Sequence, residues 1–174
     1  MDIQKNISRY LMLSSSAIQK VDLKDIDKIL SVLSNSETIY TMGNGGSAAT
    51  ALHFALDLHK AAGKKAICLN GNMPLISAYA NDDGYESIFA SQLQNISRLD
   101  TVIGISCSGN SLNVVRAIRH AKEFGAITIG FTGDDGGKLA EEASYVVKVP
   151  YEDIKIQEDA HMALCHALTA ALEK

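Results

Sequence analysis

Residues 38–47 read TIYTMGNGGS. A short run rich in β-branched and apolar residues, Thr38–Met42, stops at the cluster Gly43-Asn44-Gly45-Gly46-Ser47. An Ala- and Leu-rich amphipathic stretch near 47–61 follows. That order is strand, tight loop, helix. The pattern then repeats. Apolar runs at Lys65–Leu69, Thr101–Ser106, Ala126–Phe131 and Tyr145–Val149 alternate with stretches near 74–97, 111–124 and 137–143 that fit helices. Strands that alternate with crossover helices pair in parallel. The fold class is therefore α/β: a doubly wound, five-stranded parallel sheet.

Two helices precede this repeat, over 1–20 and 23–35. Ile7, Leu11 and Ile18 recur at near-helical spacing, as do Ile26, Leu30 and Leu33. Asp22 is placed to cap the second helix. A last helix runs from about Ile156 to Leu172. Pro74 and Pro150, the two prolines, fall between elements. No repeat, linker or low-complexity tract interrupts the chain, so the expectation is one domain over 1–174.

Composition narrows the function. The 174 residues carry a net charge of −4, which gives no reason to expect nucleic acid or an anionic membrane as a partner. No apolar run is long enough for a membrane span. The N-terminus lacks the pattern of a signal peptide. Cys68, Cys107 and Cys165 are far apart, which fits a reducing, cytoplasmic setting rather than a disulfide framework.

Ligands of an open parallel sheet bind at the carboxyl ends of its strands. Two loops there stand out. The first is Gly43–Ser47; the second is Ser106-Cys107-Ser108-Gly109-Asn110-Ser111. Small residues let backbone N–H groups and hydroxyls approach an anion, and each following helix adds positive partial charge at its N-terminus. Each loop alone is equally well read as turn chemistry. The first is not a dinucleotide fingerprint, because Ala48 stands at the third Gly, and no G-K-[ST] follows to make a P-loop. A third loop, Thr132–Lys138, reads as a turn.

These stretches together resemble the sugar isomerase (SIS) domain. GNGGSA at 43–48, NDDGYE at 81–86, SCSGNS at 106–111 and TGDDGGKLAE at 132–141 stand in the family's order. The His53 helix, NDDGYE and the terminal AHMALCH at 160–166 are similar to phosphoheptose isomerases. The resemblance implies an aldose–ketose isomerase that takes sedoheptulose 7-phosphate to D-glycero-D-manno-heptose 7-phosphate, for ADP- or GDP-heptose synthesis. It implies a homotetramer whose N-terminal helices (1–35) join a bundle, with active sites between subunits. Ser47, Ser106, Ser108 and Ser111 would hold the phosphate. Asn44 and Asp82 would lie near the sugar, with Gly45, Cys107 and Glu158 also lining the site.

The resemblance further implies Zn²⁺, one per subunit, on a His and an acid of the first βα helix and two residues of the last helix. Here those positions hold His53, Asp57, Glu158 and His166. His53 and Asp57 are four apart and share a helix face. Glu158 and His166 are eight apart, about two turns. His161 lies about 140° around the helix from His166, so the two should not meet at one site. Asp57 is assigned as the base and His166 as its partner acid.

The chain departs from the family pattern. Asp57 replaces Glu, Glu158 replaces Gln unless a one-residue slip brings in Gln157, and an Arg expected after Asp57 is absent. Cys107 stands where Thr is common. Two other readings fit such changes: a non-catalytic paralogue that binds a protein partner, as replication-initiator-binding relatives do, or a sugar-phosphate sensor. The patch His59, Lys60, Lys64 and Lys65 reads as a solvated face, and Tyr79 and Tyr85 read as packing.

Overall fold

The structure, a computed structural model, describes residues 2–173. Helices α1 (Ile3–Gln19) and α2 (Ile26–Asn35) lead into the alternating part. There β1 (Ile39–Gly43), α3 (Gly46–Lys60), β2 (Ala66–Cys68), α4 (Met73–Asp82), β3 (Thr101–Ser106), α5 (Leu112–Glu123), β4 (Ile127–Thr132), α6 (Gly137–Glu142), β5 (Tyr145–Lys148) and α7 (Ile154–Leu172) follow in turn. The strands form one parallel sheet in the order β2-β1-β3-β4-β5. This is the expected doubly wound sheet. Its winding reverses between β1 and β3, where such folds open a crevice. The two Gly/Ser loops are the ones that leave those two strands.

Alternation along the strands loads both faces with apolar side chains, as two-sided burial requires. On one face Ile103, Ile105, Ile129 and Phe131 pack with Phe54 and Leu58 of α3, Leu164 and Leu168 of α7, and Ile29 and Leu33 of α2. On the other, Val102 meets Val114 and Ile118 of α5, Leu139 of α6, and Phe89 and Leu93. Phe54 and Phe131 meet edge to face and are fully buried, each worth about 2 kcal/mol in transfer free energy.

Two local expectations change. The stretch 74–97 is not one helix. It is α4, then single 3₁₀ turns at Tyr85–Ser87 and Ala90–Gln92. Asn81-Asp82-Asp83 are poor helix formers, and Gly84 takes φ +87°, which ends the helix. The cap of α2 is Asp25, not Asp22; the Asp22 carboxylate instead accepts the Lys24 N–H at 3.0 Å, as a turn residue does.

Helix α1 leans on α7 through Asp159, whose carboxylate accepts from the Tyr10 hydroxyl at 2.7 Å and the Ser14 hydroxyl at 3.2 Å. Its other side is apolar and bare: Ile3, Ile7 and Leu11 are 69%, 57% and 63% exposed. The helical spacing of Ile7 and Leu11 therefore marks an outer stripe, not core.

Candidate functional site

The β1–α3 and β3–α5 loops meet at the winding reversal, and α7 crosses beside them. Together they enclose a cavity of about 190 Å³ lined by Asn44, Ser47, Ser106, Cys107, Ser108, Ser111 and Glu158, with Ile105 and Ile154. All four expected serines are brought together here. The Ser106 hydroxyl donates to the Ser111 hydroxyl at 3.0 Å. Helix α3 opens on Gly45 with no side-chain cap. The N–H groups of Ala48 and Ala49 turn back to the Asn44 and Gly45 carbonyls, so those of Gly46 and Ser47 are left for an anion.

The third loop is more than a turn, because it braces the second. The Gly133 N–H donates to the Cys107 carbonyl at 2.9 Å, the Leu139 N–H to the Gly109 carbonyl at 2.8 Å, and the Lys138 N–H to Asn110 Oδ1 at 3.2 Å. A Cβ on Gly109 would collide with the Gly136 carbonyl, and its φ is +64°. Only glycine lets the two loops lie this close.

Asn44 is held by a partner the sequence reading passed over. Its amide and that of Asn113 on α5 exchange two hydrogen bonds, at 2.8 and 2.9 Å, and the Tyr85 hydroxyl adds a third at 3.1 Å. An Asn buried between Leu112 and Val114 at a helix start was the available signal. Tyr85 thus does more than pack. Asp82 lies exposed at the end of α4, bonded to Asn81, and is not in the lining of this cavity.

Further along α3 a second cluster forms. Asp57 Oδ2 lies 3.3 Å from His53 Nε2 and 3.7 Å from His166 Nε2. The two imidazoles stand edge to face, with centroids 5.1 Å apart. One donor atom from each of the three residues lies within 4.8 Å of the other two. Two imidazoles and one carboxylate, part-exposed with room for a further ligand, match the donor chemistry of a catalytic zinc site. Beneath them Cys165 is buried, and that burial, with a smaller contribution from the Asp57 charge, pushes its thiol far up; it is no nucleophile.

Glu158 does not join this group. Eight residues of helix are about 12 Å of rise and about 80° past two full turns, which separates it from His166. Its carboxylate lies instead against Gly46 in the serine-lined cavity. Gln157 is no substitute: it is buried, and its amide donates to the Tyr151 carbonyl. His161 points away from His166, as their angular offset requires. It is fully buried, 3.0 Å from the Thr132 carbonyl, and burial lowers its pKa to about 4. Burial also raises the Cys107 thiol, helped by the Glu158 charge, so Cys107 is a small neutral liner of the loop.

Comparison with known proteins agrees with this geometry. The SIS domain family model matches residues 3–133. The chain is 34% identical to the probable phosphoheptose isomerase of Thermoplasma volcanium, over 97% of this chain and 91% of that one. It is 41% identical to the phosphoheptose isomerase of Aquifex aeolicus, over 91% and 85%. Among solved structures, the phosphoheptose isomerase of Neisseria gonorrhoeae superposes with TM-score 0.87 at 30% identity, covering 98% of each chain. That of Francisella tularensis gives 0.89 at 26%, covering 99% of each. The chain belongs to the SIS domain family, within its phosphoheptose isomerase group.

Proposed function

We propose that this protein interconverts sedoheptulose 7-phosphate and D-glycero-D-manno-heptose 7-phosphate, supplying ADP- or GDP-heptose synthesis. One observation carries the reading: α3 bears an anion cradle at its first turn and the Asp57–His166 pair two to three turns on. Ser47 and Asp57 are separated by about 15 Å of helix rise, which the lean of helical side chains toward the N-terminus and the reach of the phosphate and the carboxylate shorten. The span that remains is the scale of an extended sugar chain, so a phosphate at one end would present a carbonyl carbon at the other.

Aldose–ketose isomerisation moves one proton between neighbouring carbons through an enediol. Asp57 takes the proton from the carbon beside the carbonyl, while His166 gives a proton to the carbonyl oxygen. The carboxylic acid so formed exchanges its proton with solvent and delivers one to the adjacent carbon, and His166 recovers one from the other oxygen. The balance closes without a redox partner. His53, Asp57 and His166 would hold Zn²⁺, and the ion would supply polarisation of the sugar oxygens. Asp57 has two carboxylate oxygens and His166 two ring nitrogens, so a ligand role and a proton-transfer role fit each side chain.

The same reading makes the chain one SIS domain over 1–174 and a homotetramer, with the bare stripe of α1 in a helical bundle and the active site between subunits. Ile3, Ile7 and Leu11 support it as an exposed apolar line. Asp82, exposed outside its own cavity, is then free to serve a neighbouring copy. A cytoplasmic location fits the three free cysteines. No described helix is long and apolar enough to cross a membrane.

The test is direct. The purified protein, assayed for bound metal and then given sedoheptulose 7-phosphate, should carry zinc and form the aldose. Metal-free protein without turnover would favour a binding module instead.

A further inference from the structure

The Glu158 carboxylate occupies the place where an anion should bind. It lines the serine cavity with Ser47, Ser106 and Ser108. A Cβ built on Gly46 would collide with its carboxyl carbon and both oxygens, so the group sits directly over the first residue of α3. The positive end of the α3 dipole is the attraction there, while the Gly46 and Ser47 N–H groups make no bond to the carboxylate. Among the described residues no lysine, arginine or histidine pairs with this carboxylate, and no hydrogen bond holds it. Its charge reaches the loop floor, where it helps raise the Cys107 thiol.

We infer that Glu158 is an internal competitor for the phosphate: it rests in the cradle of the free protein and must leave before a phosphate can seat. The inference rests on the cradle reading above and sharpens it. Two like charges cannot share a cavity of about 190 Å³ with no cation in its lining. Leaving is open to this side chain, because it is only partly buried and has three rotatable bonds. A bare oxyanion therefore binds weakly, since it must displace the carboxylate with nothing but its own contacts. A sugar phosphate has further groups to offer along α3. Glu158 thus sets how strongly this site responds to phosphate alone.

Calorimetric titration with inorganic phosphate at constant ionic strength tests this on the full chain. Glu158→Gln and Glu158→Ala should each bind phosphate at least tenfold more tightly than the wild-type protein. Either variant alone suffices if the other folds poorly. A gain of affinity on deleting a side chain is not what loss of a merely structural contact produces. Equal or weaker phosphate binding in the variants overturns the inference and leaves the cradle standing. Phosphate binding in none of the three proteins overturns the cradle reading as well.

Discussion

Asp57 Oδ2 and His166 Nε2 lie 3.7 Å apart although they come from helices more than a hundred residues distant in sequence. The pairing of an acid and an imidazole at one reacting position is what proton transfer between neighbouring carbons needs. Asp57→Asn keeps the shape and removes the base. Turnover should fall by about 10³-fold, with the melting temperature little changed, when kcat is measured beside a thermal scan. Near-normal turnover would remove Asp57 from the mechanism.

His53 takes part through Nε2, 3.3 Å from the same carboxylate oxygen. His53→Ala should lose bound zinc by elemental analysis and lose activity with it. Chelation of the wild-type protein should do the same, and zinc or cobalt added back should restore the rate.

The four serines predict a different kinetic signature. Ser106 donates to Ser111, and both line the cradle. A hydroxyl bonded to a phosphate contributes about 1.5–3 kcal/mol. Ser106→Ala should therefore raise KM for the sugar phosphate by about ten- to a hundredfold, with a smaller change in kcat, in steady-state assays.

His161 predicts a pH effect on stability. Its folded pKa is about 4, below the unfolded value near 6.5, because burial disfavours the charged ring. The unfolded chain then binds a proton the folded one refuses. Stability should fall as pH drops from about 6.5 to about 4, by about 3 kcal/mol from this residue, and no further from it below that. Denaturant titrations across this window should show the slope, and His161→Gln should flatten it.

The exposed stripe of α1 predicts assembly. Ile7→Glu with Leu11→Glu removes apolar area from a surface that packs on nothing in the chain itself. Light scattering after gel filtration should show the wild-type protein as a tetramer and the double variant as a smaller species.

Much of this was legible in the sequence, for physical reasons. TIYTMGNGGS announced its strand, loop and helix because the apolar period breaks sharply at Gly43. The i, i+4 pair His53 and Asp57 was readable because helix geometry leaves them no other arrangement. Long-range placement was not readable in the same way. Glu158 looks like a partner of His166 on a helical projection, yet rise and phase carry it to the cradle. The Asn44–Asn113 amide pair joins the β1–α3 loop to the first turn of α5, 69 residues apart, which no local pattern encodes. The bracing role of Thr132–Lys138 depends on a close approach at Gly109 that only the packed loops reveal.

The central claim is proton transfer by this chain's own residues on a sugar phosphate. Metal-loaded protein incubated with sedoheptulose 7-phosphate in D₂O and followed by NMR tests it most directly. Aldose product should carry deuterium at C2, since the proton lifted to Asp57 exchanges with solvent before one is delivered to that carbon. No product, or product formed without any deuterium at C2, would contradict it.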